Sequence, residues 1–309
     1  MILPHQFRHT IIDSFGDEGS AWLQRLPDLI AYCERRWSLV AGLHFDNLSY
    51  NYVAPAMLGD GTEIVLKLGV PRTEQLTEAA ALRHYNGQGS VRLLDAEPGN
   101  GILLLERLKP GSMLATLWPD QDEEATRIAA RIMRQLWQPV PPDHTFVTVQ
   151  DWFKGFGRLR QEFDGGSGPF PAPLIDMAKR LYGELQAFMG TPLLLHGDLH
   201  HFNILAAKSR LWLAIDPKGI VGEAAYDTGA LLRNPMPEVF DHPKLSRLLE
   251  RRVAILAEML DLTRKRISGW GMAQAVLSAW WFYEDHGSGW EPSLALAEKL
   301  AGPHLRIYT

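Results

Sequence analysis

Leu194-Leu195-His196-Gly197-Asp198-Leu199-His200-His201-Phe202-Asn203-Ile204-Leu205 is the stretch on which the reading of this chain turns. An apolar run ends at Leu195, a polar loop follows with an aspartate in it, and a second apolar run starts beside Asn203. Thirteen residues beyond Asn203 a third apolar run, 211–215, ends in Asp216. Read as strands at 193–195, 204–207 and 211–215, with 208–210 as the turn, these runs bring three oxygen-bearing side chains to neighbouring loop ends. Such a set suits a hard cation and the phosphates it accompanies. Asp198 has only histidines as basic neighbours in its own loop, so it can accept a proton from a hydroxyl. Asn203 offers a neutral oxygen and Asp216 a charged one. That division suits phosphoryl transfer, where the protein positions groups and neutralises charge.

The spacing His-x-Asp-Leu-x-x-x-Asn at 196–203 matches the kinase catalytic loop. Its variant here, His-Gly-Asp-Leu-His-x-x-Asn, resembles the aminoglycoside phosphotransferase and choline kinase branch rather than protein kinases. The continuation Trp212-Leu-Ala-Ile-Asp216-Pro-Lys-Gly, then Gly222-Glu223, Tyr226-Asp227 and Leu231-Leu-Arg-Asn-Pro235, is similar to the streptomycin 6-phosphotransferase and hydroxyurea phosphotransferase group of antibiotic-resistance kinases. The resemblance runs from near residue 50 to the last helices. It implies an α+β chain of protein-kinase-like two-lobed fold: a small α/β N-terminal lobe with an antiparallel sheet, and a larger, mainly helical C-terminal lobe.

Carried over by position, the resemblance makes Asp198 the catalytic base and gives Mg²⁺ to Asn203 and Asp216. Lys67, in Ile64-Val-Leu-Lys67-Leu, would pair with nucleotide phosphates, and Glu78 on the next helix would hold it, with Glu74 as competitor. Asp227 would hydrogen-bond the catalytic-loop backbone; the plainer reading, a helix N-cap for 228–233, is compatible with that role. A protein-kinase glycine loop is absent, and 45–51 takes its place, with Ser49 and backbone N–H groups able to cover phosphate. The segment 103–108 resembles the one whose backbone reads adenine, which would use the Glu106 carbonyl and the Leu108 amide. Main-chain recognition leaves ATP and GTP undistinguished. Lys218 either touches phosphate or is an exposed loop lysine.

Histidines 196, 200 and 201 invite a zinc reading with Asp198, but adjacent loop histidines diverge and form no helical i, i+4 pair. His196 and its neighbours are expected to brace the catalytic loop instead. The run Trp280-Trp-Phe-Tyr283 reads as core packing, one ring being able to wall a substrate pocket. The implied acceptor is a cationic small molecule of the streptomycin type, recognised by carboxylates. Glu223, Glu284 and Asp285 are the candidates. An endogenous metabolite kinase and a degenerate nucleotide-binding module remain the rivals. A peptide kinase is excluded by spacing, since only ten residues lie between Asp216 and Asp227.

Outward from the motif, residues 20–43 read as a helix, 49–57 and 63–68 as a hairpin around Gly59-Asp60-Gly61, and 74–85 as a helix capped by Thr73. Two strands, 91–96 and 101–107, follow. The break at 108–112 is the expected hinge, giving 1–107 as nucleotide lobe and 113–309 as catalytic and substrate lobe. Helices are expected at 122–137, 174–189, 244–260, 272–285 and 292–301, with loops at 139–142 and 164–173.

A length of 309 residues exceeds the ~250–300 at which single cores stop growing, so two units are expected. With 46% hydrophobic and 22% charged residues the chain can bury a large interior. A net charge of −5 argues against nucleic acid or an anionic membrane as partner. The one cysteine, Cys33, allows no internal disulfide and reads as a buried thiol. The absence of a signal-like apolar run and of any membrane-length segment leads to a cytoplasmic expectation. Oligomeric state has no signature here.

Overall fold

Phe7, Ile11, Gly19, Trp22, Leu26 and Cys33 are the buried positions of a long first helix, α1 (His5–Trp37). The helix begins fifteen residues before the expected start at residue 20. Gly16 leaves the helical region (φ 55°, ψ −131°) and breaks the apolar stripe, which hides the first half from a periodicity reading. Its end also comes early. Ser38 turns left-handed (φ 49°, ψ 47°) and donates its N–H to the Glu34 carbonyl, and 39–41 becomes a strand rather than more helix. The computed structural model describes residues 2–208 and 212–302. It divides into two units, Met1–Gly111 and Ser112–Thr309.

The first unit is one antiparallel sheet with two helices. Its strands are β1 (Leu39–Ala41), β2 (Asn51–Leu58), β3 (Glu63–Gly69), β4 (Leu93–Glu97) and β5 (Ile102–Glu106), in the order β1-β2-β3-β5-β4. The β2–β3 hairpin closes where Gly61 takes φ 86° and Asp60 accepts from the Thr62 N–H at 2.9 Å. Between β3 and β4 lies α2 (Thr73–Tyr85), with Thr73 inside the helix and not at its cap. Arg72 holds the cap position, its N–H donating to the Gln75 side chain at 3.0 Å. One core joins Phe7, Trp22 and Leu26 of α1 to Tyr52, Ile64, Leu66, Leu68, Ile102 and Leu104 of the sheet. Each such side chain contributes roughly 1.5–3 kcal/mol by leaving water.

The second unit is mainly helical. It contains α3 (Asp122–Leu136), β6 (Gln138–Pro139), β7 (Val147–Thr148), α4 (Val149–Phe153), α5 (Gly155–Glu162), α6 (Ala172–Ala187) and β8 (Leu193–Leu195). Then follow β9 (Ile204–Ala206), β10 (Trp212–Ala214), β11 (Ile220–Gly222), α7 (Thr228–Leu232), α8 (Leu245–Leu260), α9 (Arg264–His286) and α10 (Glu291–Leu300). Leu211 and the expected turn residues Ser209 and Arg210 lie outside the described residues. α4, α5, β7 and β11 are additions to the sequence reading, because elements of two to eight residues are too short to declare a period. α9 starts eight residues before expectation. Its stretch 267–280 is buried on every side, so it passes through the core and shows no amphipathic onset. Two small sheets carry the loops that matter: β6-β8-β11-β7 and the antiparallel pair β9–β10. Among the described residues no helix is long and apolar enough to cross a membrane.

Candidate active site

β8 delivers the polar loop and β11 fixes its start, pairing Leu195 with Ile220. Gly197 has φ 85°, and a Cβ there would stand 2.4 Å from Ile220 Cγ2, so both conformation and space demand glycine. His196 is fully buried. Its Nδ1 accepts the Asp198 N–H at 3.2 Å, which leaves the proton on Nε2 to donate to the Ile215 carbonyl at 2.9 Å. The ring thus ties the loop of Asp198 to the residue before Asp216. Burial drives the His196 pKa down to about 4, so the ring is neutral.

Asp227 supports the same loop. Its carboxylate accepts from the His196 and Gly197 N–H groups at 3.0 and 2.7 Å and from Trp137 Nε1 at 3.2 Å. Asp227 also stands at the N-cap position of α7, as expected, but its side chain makes no capping hydrogen bond there and serves the loop. Burial pushes the carboxyl up to about 6 despite these donors.

Asp198 is partly exposed at the end of this scaffold, with 28% of its side chain accessible. Oδ1 meets Arg233 Nη2 at 3.3 Å and Oδ2 lies 3.5 Å from His200 Nε2. His200 Nδ1 accepts the Phe202 N–H, so its proton faces Asp198. Burial alone would raise the Asp198 carboxyl, but His200, Arg233 and Lys218 outweigh it and hold the group well below the usual carboxylate range. The acid is ionised at neutral pH.

The β9–β10 ladder sets Asn203 against the residue that precedes Asp216. Ala214 pairs with Ile204, and the Ile215 N–H donates to the Asn203 carbonyl at 2.9 Å. The Asn203 amide nitrogen donates to the Asp198 carbonyl at 2.9 Å, which turns its Oδ1 the other way. Asp216 takes a left-handed conformation (φ 59°) as the chain leaves β10. One amide oxygen and one carboxylate at adjoining strand ends are the hard donors that suit Mg²⁺. The three histidines diverge: His196 faces Ile215, His200 faces Asp198, and buried His201 lies 3.4 Å from Arg252 Nη2. Among the described residues no three His, Cys, Asp or Glu side chains gather as a metal set.

In the first unit Lys67 stands on the central strand β3, opposite Val53 and Leu103, and is 3% exposed. Nζ meets both Glu78 oxygens, at 2.7 and 2.8 Å. Glu74 is exposed on the first turn of α2, so Glu78 is the partner. Ser49 is exposed just before β2. Glu106 uses its carboxylate on the Arg92 N–H at 2.8 Å, and Leu108 is half-buried beyond β5. Burial pushes the Cys33 thiol up to about 12, which leaves it inert.

Two of the three proposed acceptor carboxylates are engaged elsewhere. Glu223 is buried between Arg266, whose Nη2 reaches Oε2 at 2.5 Å, and Trp270 Nε1 at 2.8 Å. A buried carboxylate so enclosed is a structural anchor, not a free recognition group. Glu284 receives both prongs of Arg158 at 2.6 and 2.8 Å, whereas Asp285 is exposed. The aromatic run divides: Trp280 is core, and Trp281 meets Trp152 edge-on at 5.6 Å. Trp152 in turn comes within 3.3 Å of where a Gly197 Cβ would stand. Arg233 and Arg252 are the residues sequence reasoning passed over. Arg233 lay inside the quoted Leu-Leu-Arg-Asn-Pro stretch with no role assigned, and Arg252 carried no signal.

Residues 36–286 match the family model described as "Aminoglycoside/hydroxyurea antibiotic resistance kinase". Streptomycin 6-kinase of Streptomyces glaucescens is 32% identical over 308 residues, covering 97% of each chain. Hydroxyurea phosphotransferase of Kitasatospora aureofaciens is 31% identical over 297 residues, covering 93% of this chain and 82% of that one. Among solved structures, a thermostable mutant of aminoglycoside phosphotransferase APH(4)-Ia in ternary complex with ADP and hygromycin B is similar with a TM-score of 0.61. It is 12% identical and covers 89% of this chain and 99% of its own. That likeness speaks for the fold, which is protein-kinase-like.

Proposed function

The chain belongs to the aminoglycoside/hydroxyurea antibiotic resistance kinase family and is a phosphotransferase acting on a small molecule; from that premise we propose that it moves the γ-phosphoryl group of ATP to a ring hydroxyl of a streptomycin-like acceptor. The observation that carries the reading is the held but ionised Asp198, bonded through its carbonyl to Asn203, which in turn pairs with Ile215, the residue before Asp216. The acceptor hydroxyl gives its proton to an Asp198 oxygen while its own oxygen attacks the γ-phosphorus. The bond from that phosphorus to the β–γ bridging oxygen breaks, and the bridging electron pair leaves with ADP. His196 and Asp227 keep the Asp198 loop rigid, which counts because small misplacement of a base is costly in rate.

Asn203 Oδ1 and the Asp216 carboxylate would hold Mg²⁺, which when bound neutralises phosphate charge. Lys67, kept in place by Glu78, would point its charge at the nucleotide phosphates. Ser49 with its neighbouring amides would cover them, and the backbone at Glu106 and Leu108 would read the adenine. GTP is the competing nucleotide.

A neutral acceptor, such as a polyol or hydroxyurea, is the second reading. It is favoured by one observation: Glu223 and Glu284 are already paired with arginines, which leaves Asp285 as the exposed candidate carboxylate. The test is nucleotide turnover with streptomycin, hydroxyurea and neutral polyols, read together with the mass of the product. Streptomycin gaining one phosphoryl group, with little turnover of the others, is the expected result. Turnover confined to a neutral acceptor overturns the streptomycin assignment.

A further inference from the structure

Arginine–carboxylate contacts elsewhere in the second unit are short. Arg252 reaches Asp122 with Nε at 3.1 Å and Nη2 at 2.5 Å, Arg158 grips Glu284 with two prongs at 2.6 and 2.8 Å, and even the single contact from Arg160 to Asp176 measures 2.6 Å. Arg233 is arranged differently. Its Nη1 donates to the neutral Gln274 Oε1 at 2.9 Å, while Nη2 approaches one oxygen of Asp198 at 3.3 Å. Charge-assisted bonds usually measure about 2.7–2.9 Å, so this contact touches Asp198 without closing on it.

The looseness is not slack in the surroundings. Arg252, fully buried, donates through Nη1 to the carbonyls of Leu231 (2.8 Å) and Asn234 (2.6 Å), on either side of Arg233. Asn234 Nδ2 ties back to the Ala230 carbonyl at 2.9 Å. Gln274 is itself held by donation to the Tyr226 carbonyl, and it approaches so closely that a Cβ on Gly229 would stand 2.4 Å from its Oε1. Backbone and guanidinium are therefore both fixed, and the single long contact is what that fixed frame presents.

We propose that Arg233 is a positioning residue for the phosphoryl transfer: anchored by Gln274, it holds Oδ1 of Asp198 and so sets the carboxylate plane that offers Oδ2 to the acceptor hydroxyl. This rests on the reading of Asp198 as the base. The physical need is real, because the terminal torsion of an aspartate is broad and a partly exposed carboxylate can turn. A two-pronged grip would neutralise both oxygens and crowd the one that must receive a proton. The single prong at Oδ1, with His200 3.5 Å from Oδ2, sets the plane and leaves Oδ2 lone-pair capacity for the proton.

The experiment compares Arg233→Gln and Arg233→Lys with Asp198→Asn, using ATP and streptomycin as probes and measuring kcat and both KM values. Arg233→Gln should lower kcat on the order of 10²-fold, the loss expected for a misplaced reacting group, with both KM values within about twofold. Arg233→Lys should recover part of that loss, since an ammonium can touch Oδ1 but cannot bridge to Gln274 as a planar fork does. Wild-type kcat in Arg233→Gln alongside an inactive Asp198→Asn overturns the proposal and leaves the base assignment standing. Wild-type kcat in Asp198→Asn overturns both. A crystal structure of Arg233→Gln tests the same point without any turnover: a rotated or multiply oriented Asp198 carboxylate is expected, and an unchanged single orientation overturns the positioning role.

Discussion

Lys67–Glu78 in the first unit and Arg233–Asp198 in the second each set one cation against one carboxylate, yet they are built to opposite specifications. Lys67 meets both oxygens of Glu78 at 2.7 and 2.8 Å, with both residues under 10% exposed. Arg233 meets one oxygen at 3.3 Å, and 28% of the Asp198 side chain is accessible. Disrupting the closely held pair strands a charge in the core. The open pair withholds neutralisation so that its carboxylate stays available. The two pairs thus do different things to their carboxylates: Glu78 is occupied in holding Lys67, whereas Asp198 keeps an oxygen open, and distance with exposure marks the difference.

The widest gap between the two should appear on removing the carboxylate of the open pair. Asp198→Asn is expected to reduce turnover by ~10²–10⁴, as for a lost general base, while nucleotide affinity measured by calorimetry stays within about twofold. Near wild-type turnover would erase the distinction. The sealed pair should answer in stability as well. Glu78→Ala leaves the Lys67 ammonium buried without this partner and should cost about 3–5 kcal/mol, read from the denaturant midpoint at constant slope. A cost below about 1 kcal/mol would put the pair in the class of surface contacts.

Protonation sharpens the comparison next, because the groups bracing Asp198 are themselves buried. His196 has a native pKa of about 4 against an ordinary value of 6.5. Between those pH values the unfolded chain binds a proton the native chain refuses, so stability present above 6.5 is lost as pH falls, by roughly 3 kcal/mol for this group. His201 is likewise held well below its ordinary value by burial and the Arg252 charge, and acts in the same direction. Asp227 acts oppositely. With its pKa raised to about 6, the native state takes up its proton first, and stability from this group rises between pH 6 and about 4. Urea titrations at pH 7, 5.5 and 4.5 should therefore show a steeper acid loss in Asp227→Asn than in the wild type. Parallel curves would mean that Asp227 does not titrate there. The smallest effect belongs to the surface: Glu284→Gln, opening a pair whose side chains are 48% and 33% exposed, should change stability by less than about 1 kcal/mol.

Much of the site was legible because its spacing is local. Asp198, Asn203 and Asp216 lie on one strand–loop–strand run, and the hairpin carrying Lys67 announces itself by turn residues and alternation. Helix limits were harder. Gly16 breaks α1 internally, and α9 is apolar all round where it crosses the core, so neither start shows in a periodicity. Glu223 lies only seven residues after Asp216, and it shows how little nearness in sequence says about a free carboxylate. Its partner Arg266 is 43 residues away and leaves it enclosed.

By itself, then, the sequence determined which residue types stand at a phosphoryl-transfer spacing and which strands carry them, since a strand–loop–strand motif of some twenty residues leaves its side chains few other places to go. Tertiary structure alone decided the partners. It selected Glu78 over Glu74 for Lys67, directed the Asp227 side chain to the 196–197 amides and not to capping α7, and brought Arg233 to Asp198 across 35 residues and Arg252 to Asp122 across 130. No local pattern ranks such pairs, because each is fixed by the packing of helices and strands distant in the chain, and a charge finds its counter-charge only once that packing has closed.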